Sequence, residues 1–109
     1  MQSQRQSDGT LTALGDPSRR AILEQLTNGP QSVGDIAAKL PISRPAVSRH
    51  LRLLKSVGLV AVTRVGTRHF YRLDAAGTDA VKAYLDRVWG EAVTRFQLVA
   101  RNVRPRRSG

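Results

Sequence analysis

The sequence contains no cysteine. That absence removes disulfides, thiolate metal sites and thiol redox sensing together. Aromatic residues are scarce, at 5% of the chain. No stretch approaches the roughly 20 apolar residues of a membrane span. The opening residues, Met1-Gln2-Ser3-Gln4-Arg5-Gln6, are polar and lack an apolar signal core. These absences lead us to expect a soluble, cytoplasmic protein with no membrane partner. Chemistry is equally thin. There is no paired acid and base at an interpretable spacing, no nucleophile motif and no phosphate-cradling glycine loop. The expectation is therefore a non-enzyme without cofactor or metal.

Negative charge is also in short supply. Eight Asp and Glu stand against 18 Lys and Arg, a formal net charge of +10. Such a balance favours a polyanionic partner, and charge alone does not separate nucleic acid from an anionic surface. The 109 residues make one domain's worth of chain. A chain this short buries a modest core, so pairing with a second copy would add stability.

The local signals give an ordered series of elements. Residues 1–9 read as a flexible start. Leu11, Ala13 and Leu14 suggest a short helix ending at Gly15. Asp16 can cap a second helix with Pro17 at its first position, and Asn28-Gly29-Pro30 closes it. Ser32 to Asp35 resembles a capping box opening a third helix through Leu40, before Pro41-Ile42 forces a turn. Ser43 caps a fourth helix that runs to about Val57, with Gly58 closing it. The period then changes. Leu59 to Val65 and Arg68 to Leu73 read as two strands joined at Gly66-Thr67. From Asp74 to roughly Val103 helical spacing returns, and Arg104 to Gly109 form a flexible basic tail. The fold class is mainly α with a small β-hairpin, in the order α-α-α-α-β-β-α. This is a winged helix-turn-helix domain over residues 10–103.

The fourth helix carries the most information. At about 100° per residue, Val47, Leu51 and Leu54 fall on one side. Pro45, Ser48, Arg49, Arg52, Lys55 and Ser56 fall on the other. A major groove suits such a face, because short donors and Arg reach base edges while flanking cations meet phosphates. Ser43, Arg44, Ser48 and Arg49 lie in the first two turns, the part of a recognition helix that usually enters the groove. Arg52 and Lys55 are the flanking cations.

Taken alone, this helix also fits a plain solvated surface. Its surroundings decide otherwise. Between Asp35 and Asp74 there is no acidic residue, yet that stretch holds Lys39, Arg44, Arg49, Arg52, Lys55, Arg64, Arg68 and Arg72. A merely solvated surface would mix both signs, whereas a phosphate backbone explains the bias directly. His50 lies at the edge of the apolar face, where a packed role and a phosphate-facing role are both open. In the hairpin, Arg64, Thr67, Arg68 and His69 cluster at the expected tip, where a wing lies along the backbone or dips into the minor groove. Tyr71 and Leu73 are expected to pack inward.

The last helix has more apolar surface than one small core can cover. Val81, Leu85, Val88, Ala92, Phe96 and Val99 recur at helical spacing, and Tyr84, Trp89 and Val93 widen the stripe. A soluble monomer rarely exposes groups as large as Trp89 and Phe96. A symmetric dimer through Leu11, Leu14, Leu85, Val88, Trp89, Ala92 and Phe96 would bury them. Packing on the protomer's own short first helix is the competing reading, and both are expected to contribute. Dimerisation would set two recognition helices about 34 Å apart.

Two motifs resemble one family. Leu14-Gly15-Asp16-Pro17-Ser18-Arg19-Arg20-Ala21-Ile22-Leu23 is similar to the opening of the ArsR family of winged-helix repressors. So is Ile42-Ser43-Arg44-Pro45-Ala46-Val47-Ser48-Arg49-His50-Leu51-Arg52-Leu53-Leu54, with Gly58-Leu59-Val60 and residues 66–73 continuing in register. The resemblance implies a homodimeric operator-binding repressor, acting on double-stranded DNA and often released by an inducer. It also implies that Ser43, Arg44, Ser48 and Arg49 sit in the groove and that residues 64–69 form the wing. The metal-sensing members commonly place cysteines in the helix that here reads Val33-Gly34-Asp35-Ile36-Ala37. Others use histidine and carboxylates on the last helix, which here offers only Asp79, Asp86 and Glu91. Those three are a poor set for zinc or nickel, which argues against a metal inducer and leaves a small-molecule inducer open and unidentified. Two other readings stay open on the residues: a non-specific chromosome-organising protein, and an interaction module that presents its last helix to a foreign partner.

Overall fold

The computed structural model describes the backbone of residues 2–103 and the side chains of residues 8–101. The basic tail at 104–109 lies outside the described residues. The elements are α1 (Gln2–Leu14), α2 (Pro17–Leu26), α3 (Val33–Lys39), α4 (Arg44–Ser56), β1 (Val60–Val65), β2 (Arg68–Leu73) and α5 (Ala75–Val103). The order is the one the sequence predicts. One boundary differs: α1 begins at Gln2 and takes in the start that was expected to be flexible. Gln and Arg are good helix formers without an apolar stripe, so this first part carries no periodic signal.

The chain forms two compact units, Met1–Asp79 and Ala80–Gly109. Local chemistry places each element of the first. Asp16 caps α2, accepting from the backbone N–H of Ser18 at 2.7 Å and of Arg19 at 3.3 Å. Pro17 costs nothing there, because its missing donor would have had no helical partner. At α3 the capping box is complete: Ser32 Oγ accepts from the Asp35 N–H and Asp35 Oδ2 accepts from the Ser32 N–H, both at 3.1 Å. Gly58, at φ 82°, takes the left-handed conformation after α4. The strands pair antiparallel from Val60 with Leu73 to Val65 with Arg68, leaving a two-residue turn at Gly66-Thr67. Gly66 has φ 64°, as the first position of such a turn demands.

The core gathers Ala13, Ile22, Leu26, Ile36, Val47, Leu51, Leu54, Leu59 and Val60, all buried. Each large aliphatic side chain removed from water contributes about 1.5–3 kcal/mol. Gln31 adds a feature that the sequence pattern hides. Its N–H donates to the Tyr71 carbonyl at 2.9 Å, and the Tyr71 N–H donates back at 2.8 Å. This single bridge ties the segment before α3 to β2. Gly77 sits so close to the Gly58 carbonyl that a side-chain carbon there would overlap it.

The second unit is the body of α5. Within it Lys82 Nζ donates to Asp86 at 2.8 Å, and Arg87 lies over the Tyr84 ring at 5.5 Å. From Leu85 onward its large apolar residues are open, with Trp89 68% and Phe96 70% exposed, while Val81 and Tyr84 are half-buried. Among the described residues no helix is long and apolar enough to cross a membrane.

Candidate nucleic-acid interface

The candidate surface is built on α4. Ser43 has an extended backbone and caps the helix, its Oγ accepting from the Ala46 N–H at 3.3 Å. Pro45 follows in the first turn. The apolar side is fully engaged: Val47, Leu51 and Leu54 have no exposed surface. The helix is therefore held by one face and free on the other. Arg44, Arg49, Arg52, Lys55 and Ser56 are exposed, and Ser48 is half-buried. Leu53 is also exposed on this helix. Sequence reasoning assigned it no role, although an apolar side chain beside Arg49 and Arg52 suits contact with a thymine methyl group.

The expected site residues do not all stand alike. Arg49, Arg52 and Lys55 project without a hydrogen bond, ion pair or ring contact among the described residues. Arg44 folds back instead. Its guanidinium lies against α3, so close that a side-chain carbon at Gly34 would sit 3.2 Å from Nη2. Ser43 is already an acceptor within its own helix, and its hydroxyl proton is still available to donate.

The hairpin divides its basic residues. Arg64 and His69 are directly paired across the ladder, so they share one face. Arg68 pairs with Val65 and belongs to the opposite face with Phe70 and Arg72, by the alternation of a strand. Arg68 rests over the Phe70 ring at 5.0 Å, a cation–π contact that orients the guanidinium. Arg72 Nε donates to Thr63 Oγ1 at 3.5 Å. Tyr71 and Leu73 are half-buried.

Electrostatically, the surface is one-signed. Among the described residues the ion pairs are Arg19 with Asp16 and Lys82 with Asp86, and neither uses a cation of the acid-free stretch. Asp35 is the acid at its border. The Ser32 N–H and then the Ser32 hydroxyl hold its carboxyl below the ordinary value, with Arg68 and Lys39 adding to the effect. No group of three or more His, Cys, Asp or Glu side chains comes together among the described residues.

A basic, donor-rich helix after a tight turn, followed by a two-stranded hairpin, matches known proteins. Residues 14–63 match the family model described as a helix-turn-helix domain. The chain is 47% identical over 96 residues to the HTH-type transcriptional regulator Rv2034 of Mycobacterium tuberculosis, covering 88% of this chain and 90% of that protein. The chain belongs to the ArsR family of winged helix-turn-helix transcriptional regulators.

Solved ArsR-family structures agree in fold. An ArsR-like transcriptional regulator from Rhodococcus sp. RHA1 superposes with a TM-score of 0.76 at 30% identity, covering 93% of this chain and 95% of that one. The homodimeric winged helix-turn-helix DNA-binding domain Mb0332 of Mycobacterium bovis superposes with a TM-score of 0.65 at 34% identity, covering 81% of each chain. The transcriptional repressor SdpR of Bacillus subtilis is 40% identical over 62 residues, 57% of this chain and 69% of that protein. ArsR regulators act by binding DNA rather than by catalysis.

Proposed function

We propose that this ArsR-family protein is a homodimeric repressor that reads a palindromic operator with α4 and its hairpin. The carrying observation is the division of α4: Val47, Leu51 and Leu54 have no exposed surface, while Arg49, Arg52 and Lys55 pair with no acid among the described residues. Ser48 and Arg49 read base edges in the major groove, with Ser43 and Arg44 at the entry. Arg52 and Lys55 neutralise flanking phosphates. Arg64 and His69 follow the backbone from one face of the wing, and Arg68 from the other. Leu11, Leu14, Leu85, Val88, Trp89, Ala92 and Phe96 join the two copies within the domain at residues 10–103. The relative named a repressor and the neighbour named homodimeric support this reading. The regulator works in the cytoplasm on the nucleoid.

Genome-wide pull-down with the purified protein, followed by footprinting, tests the proposal. The expected result is a discrete protected palindrome with half-sites about one helical turn, roughly 34 Å, apart. Uniform protection of any duplex would replace it with the chromosome-organising reading, which the net charge of +10 otherwise favours.

A further inference from the structure

Four contacts converge on one guanidinium where α1, α2 and α4 meet. Arg19 lies in the first turn of α2, and its side chain is only 15% exposed. Its Nε donates to the Ala13 carbonyl at 2.9 Å and its Nη2 to the Thr12 carbonyl at 3.4 Å. Its Nη1 lies 3.6 Å from Asp16 Oδ2 and 3.5 Å from Nδ1 of His50 on α4. Arg20 adds a bond from Nη1 to the Leu14 carbonyl at 2.7 Å. The last carbonyls of a helix have no partner within it, and here α2 supplies arginines to those of α1. A guanidinium only donates, so this contact is a hydrogen bond in the tautomer whose Nδ1 carries no proton. The next residue back, Arg49, has no such tie among the described residues.

We propose that Arg19 and His50 form a positioning joint that sets the angle of α4 against α1, with His50 acting through Arg19 and not by touching DNA. The inference rests on the proposed reading of α4 as the DNA-reading helix and of α1 as part of the dimer contact. Through this joint the dimer contact fixes both recognition helices and so makes the protein sensitive to half-site spacing. A partly buried guanidinium is held firmly only when its partners are all present, which is why one missing acceptor loosens the joint.

The test uses the full chain and a duplex selected from a random library by the wild-type protein, with a scrambled duplex as control. Arg19→Met and His50→Asn are each measured, alone and together, after circular dichroism confirms the fold; His50→Leu serves if the asparagine keeps the bond. Each loosened variant loses about tenfold on the selected duplex, a coupling typical of contacting residues. The double variant loses no more than either single one. Affinity for the scrambled duplex and the slope of affinity against salt stay at wild-type values. Duplexes with one base pair added or removed between half-sites, which the wild type rejects, are rejected less. Additive losses, or no loss, overturn the joint. So does a salt slope reduced by about one in the His50 variants, since it puts His50 on a phosphate. A wild-type protein that selects no duplex overturns the parent reading instead, before any variant is made.

Discussion

The helices α4 and α5 are both amphipathic, but they use their faces in opposite ways. In α4 the apolar stripe of Val47, Leu51 and Leu54 is wholly covered, so what faces water is polar and basic. In α5 the stripe of Leu85, Val88, Trp89 and Phe96 is open, at 41–70% exposure. A helix whose hydrophobic face is satisfied inside its own unit presents its polar face for recognition. A helix whose hydrophobic face is unsatisfied presents that face. The two helices should therefore respond differently to substitution.

The largest effect is expected at Leu51. Leu51→Ala leaves a cavity where no side-chain surface was exposed and should cost about 2–5 kcal/mol of folding stability, measured by chemical denaturation. A loss as small as that of a surface substitution would mean that the α4 stripe is not core. Next comes α5. Trp89→Ala should weaken the dimer by about 2 kcal/mol or more, as truncating a large aromatic anchor does. Sedimentation at graded concentrations reads this directly, and an unchanged self-association would hand the α5 face to a different partner. Arg49→Ala should cost about 1–3 kcal/mol at the operator and relax base preference at one position. In the same assay an unchanged affinity and preference would move base reading to Ser48 and Arg44.

The smallest effect concerns acid. For Asp16, partial burial pushes the carboxyl up, but the Ser18 and Arg19 N–H bonds and the charges of Arg19 and His50 outweigh it, and the net shift is downward. Asp35 is shifted down as well, chiefly by Ser32. A depressed carboxyl contributes stability that is complete above its unfolded value, about 3.9, and is lost as pH falls through the folded one. The melting temperature should therefore fall below about pH 4, and Asp35→Asn should make that fall shallower. An identical pH profile for the variant would remove the capping box from the account. The same carboxylates cap α2 and α3, which pack around α4, so the effect falls on the unit that carries α4.

Much of this was legible in the residues. Asp16-Pro17, the Ser32–Asp35 box and Ser43 each mark a helix start by local chemistry, and the β-branched run into Gly66 marks the hairpin. The division of α4 follows from spacing alone. What was hidden is tertiary. The Gln31–Tyr71 bridge is a single pair with no periodicity to announce it. Arg44 reads as an outward cation on a helical wheel, yet it docks over Gly34 because that position lacks a side chain. The two faces of the hairpin separate Arg68 from Arg64 and His69 only once the register is known. The early start of α1 was missed because Gln4, Arg5 and Gln6 favour helix without forming a stripe.

The central claim is that the basic face of α4 reads sequence and does not merely attract charge. Competition binding at physiological salt, with the footprinted palindrome against random duplex of equal length, measures that directly. The account predicts a preference of at least about a thousandfold for the palindrome, and equal affinity for both duplexes would contradict it.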